Sequence, residues 1–110
     1  VLVPECEQKS ILGVLFPSSF FKARAPKDHA LLTVFVGGER QPHLSSPDLD
    51  AVMTTVLPDL ESLLGVTQPP VMQSLTHWPK AIPQYKLGYQ KIFDQINTIE
   101  RINEVPTSFI

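Results

Sequence analysis

Two short apolar runs near the beginning of the chain predict a pair of β-strands. The first is Ser10–Phe16, SILGVLF, and the second is Leu31–Val36, LLTVFV, which stops at two glycines. Runs of this length, bounded by turn residues, are typical of buried strands. Gly13, inside the first run, indicates a close approach of backbone or ligand. The polar connection between the runs favours an antiparallel pair within a larger sheet.

The hydrophobic period then becomes helical. Ser46–Asp48 is a typical helix start, with a capping hydroxyl, a proline at the first helical position and an acid in the first turn, and Gly65 predicts the end. Pro58 cannot donate to the carbonyl of Thr54, so we expect a kink or a break there. The apolar residues that recur every three or four positions are Leu49, Val52, Met53, Val56, Leu60 and Leu63.

Two further elements complete the predicted fold. Val71–His77 alternates in a way that indicates a third strand, and a second amphipathic helix follows. The order β-β-α-β-α predicts an α+β fold, in which helices pack on one face of a mainly antiparallel sheet. We expect residues 1–110 to form a single domain. The apolar positions of the second helix are Tyr89, Ile92, Phe93, Ile96 and Ile99.

Composition excludes several classes of protein. The chain has 110 residues, 43% of them hydrophobic, and a net charge of −2, which is typical of a folded globular domain. Nine Lys and Arg against eleven Asp and Glu leave no basic excess, so we expect no nucleic acid partner. The longest apolar runs are too short to span a bilayer. The single cysteine, Cys6, excludes an internal disulfide and favours a reducing compartment. The beginning and end of the sequence suggest a piece of a longer protein.

The residue types needed for common catalytic centres are present only in unsuitable patterns. His29, His43 and His77 do not combine with Cys6 at the spacing of a zinc site, so no metal is expected. The sequence has no G-x-S-x-G nucleophile motif. Gly37-Gly38 lacks the further glycines of a dinucleotide-binding fingerprint. We therefore predict no catalytic residue in this chain, whose contribution would be apolar surface.

The segment around the only tryptophan has an unusual composition. In THWPKAIPQYKLGY, from Thr76 to Tyr89, Pro79 and Pro83 oppose both a continuous helix and a paired strand. We expect an extended connection that carries Trp78.

Taken together, four stretches resemble the protoporphyrinogen oxidases of the flavin amine oxidase superfamily. They are LGVLFPSSFFKARAP, LLTVFVGGERQPHL, DLESLLGV and WPKAIPQYKLGY, which occur in this order over nearly the whole chain. Two residues depart from the family pattern: Tyr89, where the family commonly has His, and Pro58, within a helix that usually has no proline. The resemblance implies an internal piece from the C-terminal half, mostly the substrate-binding domain.

The resemblance implies an oxygen-dependent, FAD-containing parent enzyme that converts protoporphyrinogen IX to protoporphyrin IX, with this piece inactive alone and unable to hold FAD. By motif position, Leu2 and Leu15 resemble the family's residues that clamp one pyrrole, and Phe35 resembles the residue that stacks on another. Gly13 would lie beside them in the tetrapyrrole site. Trp78 would face the flavin.

Other interpretations stay open at this point. Without the resemblance, Leu2, Leu15 and Phe35 would be ordinary strand-core residues and Trp78 an interdomain plug. The parent could instead be another FAD-dependent oxidase or desaturase of the superfamily, or the chain could be a non-catalytic α+β interaction module. A cytoplasmic or a peripherally membrane-associated location is expected, and the sequence leaves the oligomeric state undetermined.

Overall fold

The fold was analysed in a computed structural model that describes residues 1–103. The chain divides into two compact units, Val1–Pro79 and Lys80–Ile110. The first unit contains strands β1 (Ile11–Leu15) and β2 (Thr33–Val36), the four-residue helix α1 (Pro17–Phe20), helix α2 (Leu49–Leu64) and two short 3-10 helices, Glu5–Glu7 and Pro42–Leu44. The second contains helix α3 (Gln90–Asn103). No helix within residues 1–103 is long and apolar enough to cross a bilayer.

The sheet of the first unit is antiparallel, as predicted, and β1 lies in its middle. β1 pairs with β2 on one side. On the other side lie residues 1–3, where Val3 N donates to Leu12 O at 2.9 Å and Val14 N donates to Val1 O at 2.8 Å. The α+β class is confirmed by this sheet and the helices.

A β-bulge at Leu12 determines which side chains of β1 face the core. Gly13 pairs with Phe35 and Val14 with Val34, but Ile11 pairs with Val36, so one extra residue lies between the two registers. Strict alternation would place Ile11 and Val14 on opposite faces, because their numbers differ by three. The bulge brings both to the same face. Their exposed fractions are 1% and 2%, the lowest of the core.

Helix α2 covers this core face of the sheet. Val52, Val56 and Leu60 pack with Val3, Ile11 and Val14, and partly buried Val34 and Val36 extend the contact from β2. Fully burying an aliphatic side chain of this kind stabilises the fold by about 1.5–3 kcal/mol. Helix α3 belongs to the second unit and is described separately.

The start of α2 differs from the prediction. Asp48, and not Ser46, is the N-cap: its carboxylate accepts from Asp50 N at 3.0 Å, while Ser46 Oγ accepts from Asp48 N at 3.1 Å. The sequence offers two capping residues, and the carboxylate at the later position takes the role that the hydroxyl was expected to have. Gly65 ends the helix as predicted, with φ of 69° and its N–H bonded to Glu61 O at 3.0 Å.

Of the kink or break expected at Pro58, the break is absent, since α2 runs continuously through it, and the kink stays a prediction. Pro58 is exposed, and the buried residues Val56 and Leu60 lie on either side of it in sequence. The packing of both turns against the sheet outweighs the loss of one intrahelical hydrogen bond.

The predicted third strand is wrong. Residues 71–77 form no strand; Val71 and Met72 are exposed, and Leu75 alone packs against the core cluster. His77 Nε2 lies 3.2 Å from Ser45 Oγ. Apolar side chains occur at both alternating positions of this segment, so a strand here would have no face that is entirely apolar. In addition, Pro69-Pro70 immediately before it has no N–H to donate to a neighbouring strand.

The second unit confirms the predicted second helix. Before and within α3, Tyr85, Tyr89 and Phe93 form a series of edge-to-face ring contacts, with centroids 4.7 Å and 5.8 Å apart. Gly88 lies between Tyr85 and Tyr89 with φ of 88°, a backbone conformation that favours glycine. The aromatic series thus joins the extended segment to the first turn of α3.

The carboxylate of Asp59 connects α2 to the beginning of β1. Its Oδ2 accepts hydrogen bonds from Ser10 N at 2.6 Å and from Ile11 N at 3.2 Å. We expect Asp59→Ala to lower the free energy of unfolding by about 1–3 kcal/mol, because two backbone donors lose their acceptor. Urea denaturation of the chain measures this change. Glu61→Ala, an exposed position in the same helix, is the matched control, and equal stability of the two variants would contradict the expectation.

Candidate functional site

The face of the sheet away from α2 carries the residues singled out for substrate binding. Pairing places Gly13 opposite Phe35 and Leu15 opposite Thr33, and a bridge pairs Leu2 with Gly13. Directly opposed residues point to the same side of a sheet. Leu2, Gly13, Leu15, Thr33 and Phe35 therefore share one face, which is called the outer sheet face below.

The apolar side chains of this face are accessible. Leu15 is 53% exposed and Phe35 48%, while Leu2 is 90% exposed. By contrast, Val34 and Val36, on either side of Phe35, pack against the core. Leu15 and Phe35 therefore project to the face that α2 leaves uncovered. Whether they bind a substrate stays a prediction.

Gly13 allows the chain's own backbone to approach β1 closely. A Cβ atom at this position would lie 2.8 Å from Val1 O and 3.4 Å from Leu2 Cδ2. The first distance is shorter than any ordinary carbon–oxygen contact, so a larger residue would displace the segment that carries Leu2. Of the two kinds of close approach predicted for this glycine, that of backbone is therefore observed.

The turn after β2 packs internally. Gly37 and Gly38 have φ of 94° and 81°, and a Cβ atom on Gly37 would lie 3.1 Å from Ser45 Cβ. A Cβ atom on Gly38 would lie 3.4 Å from Leu12 Cδ1. These glycines make a tight turn against neighbouring side chains, and no helix begins directly after them as in a phosphate-binding turn.

Trp78 is separated in the chain from the outer sheet face. It is 69% exposed, and the boundary between the two units follows Pro79 directly. The predicted extended segment is free of helix and strand from Trp78 to Pro83. The structure thus brings Leu2, Gly13, Leu15 and Phe35 together on one face, a group that does not include Trp78.

Other candidate chemistry is dispersed. His29 Nδ1 lies 2.8 Å from Lys27 O in an exposed loop, and Cys6 is a free, exposed thiol. Among the residues that the structure describes, no three His, Cys, Asp or Glu side chains are grouped so that they could hold a metal ion. The described part of the chain therefore offers an apolar surface as its candidate site.

Sequence reasoning did not single out Thr33 as a member of this surface. It lies two positions before Phe35 in the same strand and is exposed. The period of two was the signal that could have identified it, since it places both residues on one face.

Comparison with known proteins agrees with the resemblance. Residues 2–105 match the family described as flavin containing amine oxidoreductase. Protoporphyrinogen oxidase 2, chloroplastic/mitochondrial, of Arabidopsis thaliana is 38% identical over 99% of this chain and 22% of its own length. The mitochondrial protoporphyrinogen oxidase of Nicotiana tabacum is 38% identical over 92% of this chain and 21% of its own length.

A bacterial relative carries a different name. The coproporphyrinogen III oxidase of Propionibacterium freudenreichii is 33% identical over 77% of this chain and 16% of its own length. The chain thus spans about a fifth of the length of the two plant relatives named above. Since the family match extends over nearly all of its residues, the chain belongs to the flavin containing amine oxidoreductase family.

Proposed function

We propose that this chain is part of an oxygen-dependent enzyme that oxidises protoporphyrinogen IX to protoporphyrin IX, and that it supplies one apolar wall of the tetrapyrrole pocket. The observation that carries the proposal is the outer sheet face, an exposed and uncharged surface on a sheet whose other face is packed. Relatives named protoporphyrinogen oxidase support the choice of substrate.

The shape of this surface suits a large, mostly apolar ring system. Leu2 and Leu15 project from β1 and its neighbouring segment, and Phe35 projects from β2. In this proposal the two leucines clamp one pyrrole ring and Phe35 stacks on another. Gly13 contributes because it has no side chain, so the segment that carries Leu2 can lie close against β1. Leu2 then lies beside the space that a side chain at position 13 would fill.

The cofactor of the parent enzyme would be FAD, as the family description implies. We expect that the described residues do not form a dinucleotide site by themselves. The paired glycines after β2 are occupied by internal packing, and a glycine fingerprint that opens a helix is absent from the sequence. The flavin would be held mainly by other parts of the longer protein, with Trp78 facing it from this chain.

A second substrate is favoured by one specific observation. The relative from Propionibacterium freudenreichii is named coproporphyrinogen III oxidase. That substrate has four carboxylate side chains, whereas protoporphyrinogen has two. Comparing kcat/KM of the full-length enzyme for the two compounds decides between them, and a preference for coproporphyrinogen would replace the substrate proposed above. The location, cytoplasmic or at a membrane surface, and the oligomeric state stay predictions.

The chain alone should bind no FAD. The contacts that hold a dinucleotide come largely from a glycine-rich turn and the helix that follows it. This sequence has no such turn leading directly into a helix. The test is to purify residues 1–110 in the presence of excess FAD, remove free cofactor and record the visible spectrum. Stoichiometric retention of oxidised flavin would contradict this expectation.

In the full-length enzyme, Phe35→Ala should weaken substrate binding by about 1–3 kcal/mol, since an aromatic face and its apolar contact area are lost. KM for protoporphyrinogen should rise roughly fivefold or more, with flavin content unchanged. Phe20→Ala removes an exposed aromatic ring of α1, which is not one of the residues of the outer sheet face, and is the matched control. If both variants behave alike at equal folded fraction, Phe35 is not part of a substrate wall.

Trp78→Ala should have the opposite kinetic pattern. If the indole faces the flavin, its removal loosens the cofactor or slows reoxidation by dioxygen, while KM for the tetrapyrrole changes little. Flavin content after gel filtration and the rate of reoxidation in stopped-flow experiments measure the two effects. A normal flavin content and reoxidation rate would assign Trp78 to packing between domains.

A further inference from the structure

The outer sheet face contains one polar side chain, and its position is fixed by pairing. Thr33 lies opposite Leu15 at the end of the ladder, next to the pair of Gly13 and Phe35. Period-two alternation places Thr33 and Phe35 on one side of β2, about 6–7 Å apart along the strand. A ligand that covers Phe35 and Leu15 therefore also covers Thr33.

The hydroxyl of Thr33 differs from those of the helical threonines. Thr54, Thr55 and Thr98 donate to the carbonyl four residues earlier, at 2.9, 3.3 and 2.9 Å. A strand offers no such acceptor, and within residues 1–103 the Thr33 hydroxyl has no hydrogen-bond partner. It is exposed and hence hydrated when the face is open. A ligand lying on this face removes that water.

Covering an unpaired hydroxyl with an apolar group is costly, because the hydroxyl loses its hydrogen bonds to water and gains none. A ligand that binds here tightly must therefore present a polar group to Thr33. A tetrapyrrole of the porphyrinogen type has two kinds of polar group, namely the pyrrole N–H donors and the carboxylates of its side chains.

The absence of charged residues on the outer sheet face favours the pyrrole N–H over the carboxylate. Leu2, Gly13, Leu15, Thr33 and Phe35 are all uncharged. A carboxylate placed against them would lose hydration without gaining a counter-charge, whereas a neutral N–H needs only one acceptor. We infer that Thr33 is a substrate-positioning residue whose hydroxyl oxygen accepts a hydrogen bond from a pyrrole N–H of the tetrapyrrole. This inference rests on the proposed function.

The test uses Thr33→Val in the full-length enzyme. Valine keeps the shape and the β-branched preference for a strand but removes the acceptor, so KM for protoporphyrinogen should rise about tenfold with little change in kcat, as for one lost hydrogen bond. Thr33→Ser should restore most of the affinity. Thr54→Val, which removes an exposed hydroxyl from α2, is the matched control and should leave KM unchanged.

Comparing the free diacid with its dimethyl ester identifies the group that Thr33 contacts. If the contact is a pyrrole N–H, Thr33→Val raises KM for both compounds by the same factor. An effect confined to the diacid would instead show a carboxylate contact and overturn the inference. If Phe35→Ala raises KM but Thr33→Val does not, the inference fails and the proposed wall stands. If neither variant raises KM, the proposed function fails, and the inference fails with it.

Discussion

One face of β1 packs in the core and the other belongs to the outer sheet face, and this arrangement depends on the bulge at Leu12. In a regular strand of five residues, only every second side chain points to a given face. Ile11 and Val14 would then lie on opposite faces, and only one of them could join the core. With one extra residue, both lie against α2, and Gly13 and Leu15 face the other way together with Phe35. The same local irregularity therefore completes the core and leaves an apolar surface free. The proposed substrate wall is a consequence of how the core is packed.

Much of this architecture could be predicted from the pattern of apolar residues. The two strands, the helix ending at Gly65 and the second amphipathic helix were all identifiable, because each carries its own period and its own boundary residues. The segment 71–77 was not, since it alternates in part like a strand, but apolar residues occur at both sets of positions and no strand pairs with it in the described structure. Pairing is a property of two segments, and one segment's sequence does not reveal it.

The candidate site could be proposed for a different reason. Spacing alone assigned Leu2, Leu15 and Phe35 to a strand core, and the resemblance to a family was needed to interpret them as a wall. The structure adds the register that places them on one face. The bulge that sets this register depends on cross-strand hydrogen bonds, so the sequence of β1 could not locate it. Thr33 was missed because a lone threonine in an apolar strand has no chemical motif of its own.

Pro58 has a consequence for how the domain folds. A 16-residue helix with a proline in its interior has little helical population in isolation, because nucleation is unfavourable and one hydrogen bond is missing. We also do not expect the pair of β1 and β2 to form by itself, since an isolated two-stranded sheet is only marginally stable in water. We therefore expect helix and sheet to become ordered in one cooperative transition, because the core that they share brings together residues about 45 positions apart in the chain, such as Ile11 and Val56. The outer face of the sheet would then have no ordered form before the core beneath it is complete.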